Sequence, residues 1–192
     1  TEKYLTERVD FATFSGHKFH GVRGVGFVYI KSGKKITPLL TGGGQERDYR
    51  STTENVAGIA ATAKALRLSM EKLDIFTSKT GQMKAVIRQA LLDYPDIFVF
   101  SDEEDFAPHI LTFGIKGVRG EVIVHAFEDY DIFISTTSAC SSKAGKPAGT
   151  LIAMGVDKDK AQSAVRLSLD LENDMSQIEQ FLTKLKLIYN KT

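Results

Sequence analysis

The chain has 192 residues, 42% of them hydrophobic, with 25 basic against 24 acidic side chains and a net charge of +1. That is enough for one domain, or a domain plus part of another, with a real core; it gives no electrostatic footprint for nucleic acid and no apolar run long enough to span a bilayer. The single cysteine, Cys140, excludes an internal disulfide, fits a reducing compartment such as the cytoplasm, and leaves a free thiol.

In chain order, β-prone residues predict a strand over 9–15 and another over 24–31, the second ending at Ser32-Gly33-Lys34-Lys35. Residues 36–40 read as a short extended run and 41–50 as a glycine-rich loop. A helix is expected from Thr53 or Glu54, with Thr53 as N-cap and Val56, Ile59, Ala60, Ala63, Leu66 and Met70 at helical spacing. A second helical pattern covers 79–92, with Val86, Ile87, Ala90 and Leu91 on one face, and Tyr94-Pro95-Asp96 ends it. Strands over 97–100 and 110–115 bracket the acidic run 102–105, which could bind a metal but reads better as a solvated turn. A helix over 119–127, a short strand over 132–134 and a polar segment over 135–147 follow. Helical turns at 149–154 and 158–162, a strand over 164–169 and an amphipathic helix over 174–189 complete the chain. From residue 79 onward this order suits a compact α+β domain.

One lysine stands out. Ser15-Gly16-His17-Lys18-Phe19-His20-Gly21 joins the first two predicted strands. Its glycines let the backbone come close to a ligand. Backbone N–H groups, Ser15 and a histidine can together hold a phosphate. The Lys18 amine can act as a nucleophile toward a carbonyl. Together they suggest a Schiff base with a phosphorylated aldehyde, which describes pyridoxal phosphate. Taken alone, the stretch reads equally well as a glycine-rich connection with a solvated lysine.

Three further stretches join it: Gly42-Gly43-Gly44-Gln45-Glu46-Arg47 leading into Arg50-Ser51-Thr52-Thr53-Glu54-Asn55, then Ser135-Thr136-Thr137-Ser138-Ala139-Cys140-Ser141-Ser142, then Val165-Arg166-Leu167-Ser168-Leu169. In this order and spacing the chain resembles the C-terminal half of a cysteine desulfurase, a pyridoxal-phosphate enzyme that takes sulfur from L-cysteine and leaves L-alanine. The resemblance covers essentially the whole chain. It implies an α/β fold, the C-terminal part of the fold-type-I transferase fold. Residues 1–73 would be the tail of the large cofactor domain and 74–192 a small α+β domain carrying the cysteine loop.

The same resemblance implies the site. Lys18 would bind the cofactor and move protons, and Ser15 and His17 would contact its phosphate. Thr53 would reach the phosphate of a second subunit's cofactor, so the site would depend on a homodimer. The Cys140 thiolate would take the substrate sulfur as a persulfide, and Lys143 nearby would favour that thiolate. Arg166 would clamp the substrate α-carboxylate. Sulfur would pass to an acceptor protein in iron–sulfur cluster assembly or tRNA thiolation. No metal, no membrane and no direct nucleic-acid contact is implied. Plainer readings stand beside these: Thr53 as an ordinary N-cap, Arg166 in a surface ion pair, Cys140 as a small hydrophobe. His20 has no assigned role and reads as structural.

The chain also departs from the family pattern. Thr52, Thr137 and Asp170 stand where the family usually has glycine, and would be strained if those positions need positive φ. Lys18 has almost nothing before it, although the family places most of a large domain upstream of its lysine. The expectation is therefore a fragment or one half of a split gene product, inactive by itself. Two other readings remain at this point. One is a pyridoxal-phosphate aminotransferase or β-eliminating lyase with no use for Cys140. The other is a non-catalytic fragment that binds a partner.

Overall fold

The computed structural model describes residues 7–101, 106–136 and 149–191. It divides into two compact units, Thr1–Leu73 and Asp74–Thr192.

In the first unit, β1 (Phe11–Ser15) pairs antiparallel with β2 (Gly26–Ile30), Phe11 opposite Ile30 and Ser15 opposite Gly26. The sequence places only strands and a loop here. The structure adds a 3₁₀ turn, Gly16–Phe19, directly after β1. After a long irregular stretch comes α1 (Val56–Glu71). Its N-cap is Asn55, not Thr53: the Asn55 side chain accepts a hydrogen bond from the Gly58 N–H at 3.1 Å. An amide side chain one residue before the helix outcompetes a hydroxyl three residues before it, because only the former reaches the free N–H groups of the first turn.

The buried face of α1 is also not the predicted one. Gly58 and Thr62 are buried, whereas Val56 is 71% exposed and Ile59 and Met70 are exposed as well. The helix is held by its small residues, since a close neighbour selects side chains that let it approach. Of its larger apolar residues, Val56, Ile59, Leu68 and Met70 stay exposed.

Between the hairpin and α1, Glu46, Arg47 and Asp48 have φ of 52°, 56° and 65° and follow Gly44 at 81°. They make a left-handed turn in which the Asp48 N–H donates to the Gly44 carbonyl at 3.2 Å. Each L-residue held there costs about 1–2 kcal/mol. Thr52 and Asp170, flagged from the sequence as candidates for strain, do not have positive φ. Their side chains are therefore compatible with their backbone, and the strain lies a few residues upstream.

The second unit builds one antiparallel sheet. β3 (Ile97–Val99), β4 (Ile110–Ile115), β6 (Val165–Ser168) and β5 (Ser135–Thr136) lie in the order β3-β4-β6-β5. One face carries Leu111, Phe113, Ile115, Val165 and Leu167. Against it pack α2 (Leu73–Leu91), α3 (Gly120–Glu128) and α6 (Met175–Tyr189), through residues such as Met83, Ile87, Ile123, Phe127, Phe181 and Leu185. Phe127 and Phe181 stack at 4.9 Å between centroids. The other face meets α4 (Gly149–Ala153) and α5 (Lys158–Gln162), where Leu151, Ala161 and Ala164 form a smaller cluster with Phe100 and Val156.

Two predicted elements shift. α2 begins at Leu73, six residues before the expected start, with only Lys72 between it and α1. Its buried stripe is Thr80, Met83, Ile87 and Leu91, while Val86 faces out. The strand expected over 132–134 is instead β5, Ser135–Thr136, because the ladder with β6 forms there, Ser135 opposite Arg166 and Thr136 opposite Val165. Ile132 and Ile134 still pack against the core, while Phe133 is 78% exposed. The acidic run 102–105 and the segment containing Thr137, Cys140 and Lys143 lie outside the described residues.

Candidate active site

The lysine stretch is built around a tight seat. Gly16 is buried, and its N–H donates to the Val25 carbonyl at 2.9 Å. A Cβ at Gly16 would lie 2.9 Å from that carbonyl and 3.0 Å from Thr62 Oγ1 on α1. A Cβ at Gly58, one helical turn before Thr62, would lie 2.7 Å from Val25 Cγ2. At Gly16 a Cβ would press on backbone, and at Gly58 the Val25 and Asn55 side chains would have to move aside. Two glycines and a threonine thus bring the 3₁₀ turn onto α1 and fix where Lys18 stands. His20, in the left-handed region at φ 65°, closes the turn with its N–H on the Gly16 carbonyl. That is the structural part the sequence reading gave it.

Above this seat the turn presents three exposed side chains, Ser15, His17 and Lys18. Ser15 occupies the N-cap position, yet its hydroxyl makes no capping hydrogen bond. Neither His17 nor Lys18 has a hydrogen bond or ion pair among the described residues. A hydroxyl, an imidazole and a primary amine therefore stand together with their bonding capacity unused. Chemically this suits an anion beside a carbonyl. Thr53 belongs to the same unit, on the irregular stretch before α1. Its neighbour Thr52 accepts from Arg50 Nη1 at 2.8 Å and donates to the Thr53 carbonyl at 3.1 Å, and the Thr53 side chain is exposed.

Arg166 belongs to the second unit. Strand alternation puts it on the sheet face opposite the main core, since Val165 and Leu167 point into that core. Its register partners are Thr112 on β4 and Ser135 on β5. Arg166 Nη2 donates to Ser135 Oγ at 3.2 Å. Its Nε is buried and finds no acceptor among the described residues. A buried guanidinium N–H without an acceptor is rare and costly, so Nε keeps a donor that an oxygen acceptor could take. The ion-pair reading of Arg166 has no support, as no carboxylate partners it among the described residues. Cys140, the remaining sequence-predicted residue, lies outside the described residues.

Sequence reasoning missed three residues here. Gly58 and Thr62 were legible as small residues at i and i+4 on the predicted helix, but the larger residues beside them drew the face the wrong way. Ser135 was counted into the polar segment and gave no separate signal.

A family model described as aminotransferase class-V matches residues 6–181. A NifS/IcsS protein homolog from Lactobacillus delbrueckii subsp. bulgaricus is 47% identical over 189 residues, covering 98% of this chain and 49% of that protein. A cysteine desulfurase IscS from Clostridium botulinum is 36% identical over 177 residues, covering 91% of this chain and 45% of that protein. A solved NifS-like protein superposes with a TM-score of 0.84 at 34% identity, over 96% of this chain and 47% of that one. The chain thus spans about half the length of the relatives it matches. With the family model covering nearly all of it, the chain belongs to the class-V aminotransferase family.

Proposed function

We propose that these residues form the C-terminal half of a pyridoxal-phosphate-dependent cysteine desulfurase. Residues 1–73 belong to its large cofactor domain and 74–192 to the small domain that carries Cys140. The observation that carries the reading is the Lys18 turn, with its amine, hydroxyl and imidazole side by side and unpartnered. Support comes from relatives named cysteine desulfurases, matched over nine-tenths of this chain. Because the chain spans about half of those relatives, the activity is proposed for an assembled enzyme in which the rest of the fold is present.

The donor set fits pyridoxal phosphate: Ser15 and His17 for the phosphate, Lys18 for the aldehyde. When bound, that cofactor supplies an electron sink for breaking bonds at the substrate Cα and Cβ. Lys18 takes the Cα proton and returns it. Arg166 orients L-cysteine by its carboxylate through the unpartnered Nε. The Cys140 thiolate then attacks the substrate sulfur. A new S–S bond forms and the Cβ–S bond breaks, its electron pair staying on Cβ, which takes up a proton. The products are L-alanine and a persulfide on Cys140. The sulfur is oxidised as the carbon is reduced, so no external oxidant is needed. The persulfide passes to an acceptor protein serving iron–sulfur clusters or tRNA thiolation in the cytoplasm. In a homodimer, Thr53 reaches the cofactor phosphate of the second copy.

The test is alanine and persulfide formation from L-cysteine by the assembled enzyme. Lys18→Ala should abolish both products. Cys140→Ser should abolish the persulfide while cofactor binding is retained. Sulfur release by Cys140→Ser at the wild-type rate would replace this reading with a lyase or aminotransferase.

A further inference from the structure

We propose that Ser135 is the positioning residue for Arg166, and that it ties the carboxylate clamp to the strand leading to Cys140. The inference rests on the reading of Arg166 as the carboxylate ligand and adds to it the group that aims the guanidinium.

A guanidinium on a four-bond stem has many orientations, and a carboxylate needs two of its N–H groups parallel and aimed outward. Register puts Ser135 directly beside Arg166 across the β5–β6 ladder. Its Oγ accepts from Nη2 at 3.2 Å. That bond engages one of the two Nη2 hydrogens. The other remains, and with the Nε–H it supplies the donor pair that a carboxylate takes. Nε itself is buried with no acceptor among the described residues. β5 is only Ser135–Thr136, and Cys140 follows five residues after Ser135. The clamp and the root of the cysteine segment therefore share one hydrogen bond.

The experiment uses the assembled enzyme, with ¹⁵N-arginine in its 192-residue half, and follows the Arg166 Nε–H resonance by NMR while L-alanine is added. Arg166→Ala assigns the resonance. In the wild type the bond to Ser135 should hinder rotation about Nε–Cζ, and L-alanine should shift the Nε–H. Ser135→Ala should free that rotation and weaken L-alanine binding about tenfold, the usual effect of losing one hydrogen bond to a charged group. Ser135→Thr keeps the hydroxyl and should restore both. A general folding defect would disturb the core amide signals as well, which separates it from loss of the bond. Ser135→Ala binding L-alanine as the wild type does, with the same rotation, overturns the proposal while leaving Arg166 as the clamp. A wild-type Nε–H that L-alanine does not move overturns the clamp itself, and the proposal with it.

Discussion

The two units bury very different things. Every large buried hydrophobic among the described residues lies between Met83 and Ile188, in the second unit. The described residues buried in the first unit are Gly16, Gly58 and Thr62. Its hairpin exposes Phe11, Phe27 and Val28, and its helix exposes Val56, Ile59, Leu68 and Met70. A two-stranded hairpin is at best marginally stable in water, so the first unit holds its shape by close backbone approach rather than by a core. The contrast matches the proposed division of labour. The second unit is a self-sufficient platform for Arg166. The first is precise at the Lys18 turn and leaves apolar residues such as Phe11, Val28 and Val56 exposed around it.

This contrast can be broken, and the largest effect should come from the second unit. Phe127→Ala removes a ring stacked at 4.9 Å on Phe181 and should cost about 3–5 kcal/mol by chemical denaturation, as for other buried aromatics. Val28→Ala, at an exposed hairpin position, should stay within about 0.5 kcal/mol. A comparable loss at Val28 would show that the first unit has a core after all.

Gly16→Ala comes next. Its Cβ would meet the Val25 carbonyl at 2.9 Å and Thr62 at 3.0 Å, so a loss of about 1–3 kcal/mol is expected from overpacking. Hydrogen exchange should locate that loss in residues 11–30 and leave the second unit's amides unchanged.

A pH dependence should then appear in the second unit. Burial lowers the His109 pKa below the ordinary 6.5, Lys84 adds to that, and Asp170 opposes it. Its Nδ1 is buried without a hydrogen-bond partner among the described residues, and its ring lies 5.1 Å from Phe76. Because the folded-state value is the lower one, the unfolded chain binds the proton first. Stability is therefore complete above pH 6.5 and falls as the pH drops from there through the folded-state value. His109→Gln should flatten the melting-temperature profile in that window.

The smallest effect belongs to the left-handed turn. Asp48→Gly relieves a residue at φ 65° but adds chain entropy to the unfolded state, so a net gain of about 0.5 kcal/mol is expected. A loss on thermal denaturation would mean that the Asp48 side chain holds the turn in a way its backbone does not reveal.

Legibility from the sequence followed the same divide. In the second unit the amphipathic periods of 110–115, 164–169 and 174–189 placed β4, β6 and α6 to within a residue or two, because a real core enforces the pattern. In the first unit the period along 56–70 pointed the helix the wrong way, since the contact that positions α1 uses Gly58 and Thr62, which carry no hydrophobic signal. α2 started early for a related reason: its first turn, Leu73 to Phe76, has exposed apolar residues and a stripe that only becomes buried at Thr80. The residues proposed to carry chemistry stand in motifs that the sequence shows. Their supports were not, because Ser135 and Thr62 act through a register and a close approach that only the fold creates.

The central claim is that Lys18 holds the cofactor. It is tested most directly by mixing the chain with pyridoxal phosphate, reducing with borohydride, and mapping the modified lysines by mass spectrometry. The account predicts phosphopyridoxyl concentrated on Lys18, well above Lys34 and Lys35, which are also exposed but stand away from the Ser15–His17 pair. It also predicts that Ser15→Ala and His17→Ala together remove the preference. Label spread evenly over Lys18, Lys34 and Lys35 would contradict it.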